Sequence, residues 1–353
     1  MKKCNIINNI LNAINPYHWV TWARNRAFDH GILKSRSFEI PTICIGNITI
    51  GGTGKTPHTE YLINLLNNEY SVAVLSRGYG RKSKGFIKAD EHATMQQIGD
   101  EPFQIKSKYP DIIVAVDEKR VHGIEQLLKG SPKPEVILLD DAYQHRYAKA
   151  GIYILLIDFN RPIWKDRVLP FGRLRESVAG KERADIIIIT KCSTEMTAQQ
   201  QEYCRRAVRN KKGAPVFFST MKYGQPYPLF STQQGKAPSL DGCSVLLLTG
   251  IAAPQPLKNE LERQGAKVRL MQYADHHNFS VQELQNVAHE FEKEKTNNKI
   301  IITTEKDAAR LTAQTELPSV IKENIYALPI EVDFLNEEKN IFNQTISDYV
   351  RKN

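Results

Sequence analysis

The chain has 353 residues, 41% of them hydrophobic and 25% charged, an ordinary globular balance with enough length to bury two α/β cores. Its net charge of +9 favours an anionic partner: nucleic acid, a phosphorylated metabolite or a membrane surface. No run approaches the roughly 18–20 apolar residues of a spanning helix.

Residues 1–36 carry six Lys/Arg against one Asp. Ile6, Ile7, Ile10, Leu11 and Ile14 line one face of an expected helix, and Pro16 marks a break or a new helix start. Tyr17, Trp19, Trp22 and Phe28 follow, interleaved with Arg24 and Arg26. An apolar face, aromatics and scattered cations suit a helix lying in a membrane interface, or equally one packed on the domain. The Asn-broken stretch is unlike a signal peptide. Five cysteines, at 4, 44, 192, 204 and 243, show no close-spaced pair. They fit free thiols in a cytoplasmic, reducing compartment and argue against a zinc site.

An apolar run at Ile40–Ile45 reads as a buried strand and His58–Asn67 as a helix. Between them lies Gly46-Asn-Ile-Thr-Ile-Gly-Gly-Thr-Gly-Lys-Thr-Pro57. Strand, glycine-rich turn and helix make the layout of a phosphate-binding loop. Gly51, Gly52, Thr53, Gly54, Lys55, Thr56 and Pro57 form its cradle. The amides at the helix start point at an anion, Lys55 reaches the terminal phosphates and the Thr56 hydroxyl holds Mg²⁺. Thr49 stands where the usual pattern has its first Gly.

Ser71–Leu75 is a second strand, ending in a basic, Gly-rich loop that begins at Arg77. Such a loop past a strand's carboxyl end is placed to bind ligand, or is simply a solvated loop. Asp100 in Gly99-Asp-Glu-Pro102 opens a helix, for which it is also a natural N-cap. Ile112–Val116 is a strand, followed by Lys119-Arg120 and a helix. Glu135–Leu139 runs into Asp140-Asp141, as in the metal-holding strand of phosphate-loop enzymes. Two more strands, Ile152–Ile157 and Asp185–Ile189, flank the loop Leu169–Glu176. After the second, Thr190-Lys191-Cys192-Ser193 resembles the guanine-reading motif of GTPases, but with Ser193 in place of its Asp.

The composition turns to Lys, Gly, Pro, Gln and Ser around 211–242. The expected organisation is a membrane-associating segment over 1–36 and a phosphate-loop core over 37–215. A linker over 216–242, a smaller α/β domain over 243–335 and a closing helix over 336–353 complete it. Asp275-His276-His277 falls at a strand end in the smaller domain; a pair of His is by itself a weak metal signal.

The ordered set GNITIGGTGKTP, SRGYGR, GDEP, LLDDAYQHR, LPFGRLRE, TGIAAP, DHH and TTEKDAAR spans residues 46–310. It closely resembles the tetraacyldisaccharide 4′-kinase (lipid A 4′-kinase) family of Gram-negative bacteria. The resemblance implies a two-domain α/β kinase, peripheral on the cytoplasmic face of the inner membrane. It would use ATP and Mg²⁺ to phosphorylate the 4′-hydroxyl of a lipid A disaccharide 1-phosphate. It assigns Asp100 as catalytic base and His276 as its dyad partner, and Asp140, Asp141 and Glu176 as metal-site acids. Arg77 and Arg120 fall at positions associated with the lipid substrate. Were Asp100 and His276 on different domains, the dyad would complete only on closure. Ala142 departs from the family's Gly.

Two other readings share part of this pattern. A hydrolase of GTPase or metallochaperone type would want the Asp absent at Ser193, and its metal-binding Cys/His pairs are missing. A nucleic-acid ATPase would suit the charge but lacks a recognised module, so neither a nucleic-acid nor an obligate protein partner is expected.

Overall fold

The computed structural model describes residues 15–230, 239–275, 277–314 and 316–353. The face expected at Ile6–Ile14 and the candidate His276 lie outside the described residues.

The strands in chain order are β1 (Thr42–Gly46), β2 (Val72–Ser76), β3 (Ile87–Lys88), β4 (Ile113–Val116), β5 (Val136–Asp140), β6 (Ile152–Asp158), β7 (Ile186–Thr190), β8 (Val216–Tyr223), β9 (Tyr227–Pro228), β10 (Ser244–Thr249), β11 (Lys267–Gln272), β12 (Lys299–Thr304), β13 (Ile325–Leu328) and β14 (Ile330–Phe334). They form a nine-stranded sheet, β14-β8-β7-β6-β1-β5-β2-β4-β3, and a five-stranded sheet, β11-β10-β12-β13-β9. The short runs of Val, Ile and Leu are strands because parallel sheets bury both faces, which removes the need for polar alternation. All five residues of β1, β2, β5 and β7 are buried.

The chain divides into two compact units that are not contiguous in sequence. The larger takes residues up to His92, Tyr109–Met221 and Val332–Asn353; the smaller takes Ala93–Lys108 and Lys222–Glu331. This corrects two expectations. Asp100 does not belong with the phosphate-loop core but with the unit that carries the Asp275–His277 segment. Residues 216–223 are not linker: they form β8, between β7 and β14. Its alternation is short and polar at one end, so it reads as loop until β14 supplies its second neighbour.

In the smaller unit, β10 shows why the sheet is covered on both faces. Leu246 and Leu248 pack with Leu284, Val287 and Phe291 of the helix Val281–Glu292, whereas Val245 and Leu247 pack with Leu257 and Leu261 of the helix Gln255–Arg263. The two-residue side-chain period sends alternate residues to opposite faces, giving three layers.

In the larger unit, β1 lies between β5 and β6, all parallel, with Ile45 in register with Asp140. The chain leaves β1 toward β2 and returns to its other side with β6, so the carboxyl end of β1 is a topological switch point where open sheets bind ligands. Gly46 closes the strand. A Cβ there would stand 2.7 Å from Tyr143 Cβ and 3.1 Å from its main-chain nitrogen. Gly46→Ala is therefore expected to cost about 1–3 kcal/mol through overpacking, measured as a lowered urea midpoint.

Candidate active site

The phosphate loop is built against its own unit. Ile50 N donates to Arg173 O and Arg175 N to Ile48 O, each at 2.8 Å, so the loop pairs with the segment before Glu176. Asn47 Nδ2 donates to Thr53 Oγ1 at 2.8 Å, and Thr190 Oγ1 to Thr53 O at 2.9 Å. Lys191 donates to Gly52 O and pairs with Asp158 at 3.0 Å. The lysine of the Thr-Lys pair thus braces the loop, a role independent of any base-reading residue at 193.

Gly51 and Gly54 have φ of 108° and 86°, a region that only glycine enters without strain. Gly54 is the N-cap of the helix Lys55–Leu66 and offers no side-chain cap. The first-turn amides and the positive end of the helix dipole are thereby left for an anion. A Cβ on Gly52 would meet no protein atom within 4 Å, so the fold does not demand glycine there; close approach of a phosphate to the backbone would.

The acidic strand end lies alongside. Asp140 is buried and accepts from Thr59 Oγ1 at 3.2 Å. Asp141, at φ 44°, turns toward Lys55 Nζ at 3.7 Å and Arg175 Nη1 at 3.2 Å. Burial alone would raise the Asp141 carboxyl, but Lys55, Arg175 and Arg120 outweigh it and hold it below its usual range. Ala142 is buried and its φ is not positive. The left-handed turn is taken by Asp141, and no glycine is needed at 142.

Among the described residues no three His, Cys, Asp or Glu side chains gather to hold a metal. The oxygen donors at the loop, Thr56, Asp140 and Asp141, nonetheless fit Mg²⁺, which takes one or two carboxylates and completes its shell with phosphates and water. Glu176, expected beside them, is committed elsewhere. Its oxygens accept from Arg183 at 2.9 and 2.7 Å, Gln144 at 3.0 Å and Asn25 at 2.8 Å. A cation there would have to displace Arg183.

Of the two arginines expected at the acceptor, Arg77 is exposed just past β2. Arg120 is 2% exposed and donates to Asp117 O at 2.6 Å and toward Asp140 O at 3.5 Å. Through these bonds its guanidinium braces the end of β5; burial lowers its pKa to about 10, and Asp140 and Asp141 oppose that shift. Of the two, only Arg77 is exposed at the surface.

In the smaller unit, Asp100 lies in the first turn of the helix Asp100–Lys108 and is paired with Arg310. His277 stacks on Tyr273, with ring centroids 4.9 Å apart, and meets Glu283 at 2.9 Å. The second histidine of the pair is thus engaged by the capping-box Glu283 of its neighbouring helix. Sequence reasoning missed Arg175, Arg183 and Arg310, the cations that orient the carboxylates; Arg175 and Arg310 stand within quoted motifs and Arg183 outside them, but an arginine's partner is a tertiary fact.

These features define a phosphate-loop nucleotide-binding protein. The sequence matches the tetraacyldisaccharide-1-P 4′-kinase family over residues 10–351. It is 48% identical to the tetraacyldisaccharide 4′-kinase of Phocaeicola vulgatus, across 96% of this chain and 94% of that protein. It is 43% identical to the one from Flavobacterium johnsoniae, across 96% and 95%. The crystal structure of LpxK from Aquifex aeolicus in complex with ATP superposes with a TM-score of 0.73 at 29% identity, over 98% of this chain and 99% of that one. The chain belongs to the tetraacyldisaccharide 4′-kinase family.

His58 and His145 give the larger unit a pH dependence. Burial lowers both to about 4; at His58 the hydrogen bond to Gly54 O opposes it, and at His145 Arg120, Arg77 and Arg24 add to it. Unfolded histidine takes its proton from about pH 6.5, whereas these do so only near 4. Stability is therefore complete above about pH 6.5 and falls as pH drops toward 4, by at most about 1.4 kcal/mol per pH unit for each histidine. His58→Gln should remove its share of that slope in urea unfolding compared at pH 7 and pH 5.

Proposed function

We propose that the chain transfers the γ-phosphate of ATP to the 4′-hydroxyl of a tetraacyldisaccharide 1-phosphate, a step of lipid A biosynthesis. The observation that carries this is the uncapped helix start at Gly54-Lys55-Thr56, with Lys55 3.7 Å from Asp141, in a chain of this kinase family. Family membership favours a kinase over the GTPase or metallochaperone reading.

Phosphoryl transfer depends on positioning and charge neutralisation more than on covalent chemistry. The loop amides and Lys55 bind and orient the terminal phosphates. Thr56, Asp140 and Asp141 would hold Mg²⁺, which when bound neutralises charge on the transferring phosphoryl group. Lys55 exchanges its contact with Asp141 for phosphate oxygens, and Arg175 keeps Asp141 in place. Asp100 takes the proton of the acceptor hydroxyl, with His276 as its partner, and Arg77 contacts the lipid substrate. The direct test is ATP-dependent phosphorylation of a lipid A disaccharide 1-phosphate in detergent. Lys55→Ala is expected to lower kcat by at least about 10²-fold; near-normal turnover would exclude the loop as the catalytic centre.

The acceptor is a lipid, and the helix Pro16–Asp29 suits work at its surface. It is tied to the larger unit by Tyr17 Oη to Arg175 O at 2.9 Å, Arg24 to Gln144 O at 2.9 Å and Arg146 to Asp29 at 2.7 Å. Trp19, Val20 and Trp22 are left 51%, 68% and 45% exposed, beside Arg24 and Arg26. Large aromatics and arginines together favour a bilayer interface with anionic headgroups. No helix among the described residues is long and apolar enough to cross a membrane, and a peripheral place on the inner membrane's cytoplasmic face fits this surface. Replacing Trp19 and Trp22 by Ser should shift the protein from the pelleted to the soluble fraction with anionic vesicles; unchanged sedimentation would overturn the assignment.

A further inference from the structure

The Asp100 carboxylate is the outer end of a buried polar chain within the smaller unit. Arg310 donates from Nη2 to Asp100 Oδ2 and from Nη1 to Asp307 Oδ1, the latter at 2.8 Å. The Arg310 side chain is 2% exposed and that of Asp307 0%. Asp307 is fixed in turn by Thr249 Oγ1 at 3.1 Å, Gly250 N at 3.0 Å and Thr304 Oγ1 at 2.8 Å. These anchors are the carboxyl ends of β10 and β12, adjacent parallel strands. Gly250 also abuts His277: a Cβ on it would lie 3.3 Å from His277 Cβ and 3.2 Å from Asp307 Oδ1.

We propose that Arg310 is a positioning residue for the phosphotransfer, setting the direction of the Asp100 carboxylate. The inference rests on the reading of Asp100 as the base. Asp307 already neutralises Arg310 from three residues earlier in the same helix, so the contact to Asp100 is not required to satisfy the arginine's charge. What it supplies is geometry. Asp100 begins its helix with a side chain 21% exposed, and a partly solvated carboxylate has several rotamers to choose from. A planar guanidinium holding one carboxylate on each nitrogen transmits the rigidity of two strand ends to it. A lysine, a point charge on a flexible stem, does so poorly. The alternative, in which Asp100 serves only as a favourable charge at a helix start, gives the arginine no role in turnover.

The test is a double-mutant cycle in the full chain: R310M, D100N and the double variant, with R310K as the conservative replacement. Turnover of the lipid acceptor in detergent, affinity for a fluorescent ATP analogue and thermal unfolding are measured for each. R310M is expected to lower kcat about 10–100-fold, the scale of an ångström-sized misplacement of a reacting group, with KM for ATP and analogue affinity within about twofold of wild type, since the phosphate loop belongs to the other unit. R310K should recover part of the loss. In the D100N background R310M should cost less than about threefold more, because groups acting as a unit are not additive. A loss from R310M that is as large in D100N as in wild type overturns the proposal, and so does unchanged kcat in R310M. If D100N turns over normally while R310M does not, the base reading fails and the arginine acts by another route. If D100N is inactive while R310M is normal, the base reading stands and the positioning role falls. Should R310M unfold, R310K and R310Q carry the same cycle.

Discussion

The parallel pairing of β1 with β5 is the constraint on which the nucleotide site depends. It sets Ile45 beside Asp140, so that the turn after one strand and the acids after the other leave the sheet side by side. A side chain at Gly46 would press against Tyr143, which crosses there. From that point the geometry is nearly forced. The helix Lys55–Leu66 must start over the sheet edge, and the amine of Lys55 meets the nearest carboxylate, Asp141. Withdrawing a cation and an anion from water is costly unless each has a partner; here Lys55 and Asp141, largely buried, serve as partners for one another.

Both units repeat one electrostatic device. A carboxylate at or just past a strand end is held by a cation: Asp141 by Arg175 and Asp158 by Lys191 from neighbouring segments, and Asp307, three residues beyond β12, by Arg310 of its own helix. Glu176 with Arg183 follows the same rule in a loop. The strand termini supply the position, and the cation supplies orientation that a lone carboxylate lacks. In each of these four pairs the acid is matched by a cation close at hand.

Much of this was legible in the residues. Continuous runs of Ile, Val and Leu marked the parallel strands, and the glycines with Lys55 and Thr56 marked the phosphate loop. Asp140 and Asp141 announced themselves by ending such a run. The departures have physical causes. Gly99–Lys108 looks local to the strands around it, yet it belongs to the smaller unit, because its Asp100 and Lys108 pair with Arg310 and Glu305. β8 has only one long-range neighbour until β14 returns. Glu176 has the residue type of a metal ligand, and only Arg183, Gln144 and Asn25 around it reveal a different commitment. Arg120 has the composition of a surface cation, but its position after β4 drives it under Asp140.

The last segment of the chain completes the first. Val332–Asn353 belongs to the larger unit, and the Tyr349 hydroxyl of its helix accepts from Thr42 N at 3.1 Å, at the head of β1. Phe334 and Phe342 stack at 4.6 Å and enclose Phe217 and Tyr61. During synthesis, therefore, the strand that leads into the phosphate loop emerges early but waits for Val332–Asn353 before its surroundings close. A chain lacking Ile330–Asn353 would expose Tyr61 and Phe217 and leave β8 with an unpaired edge, the kind of surface that chaperones and proteases recognise. The strand that leads into the phosphate loop thus depends for its enclosure on a segment far along the chain.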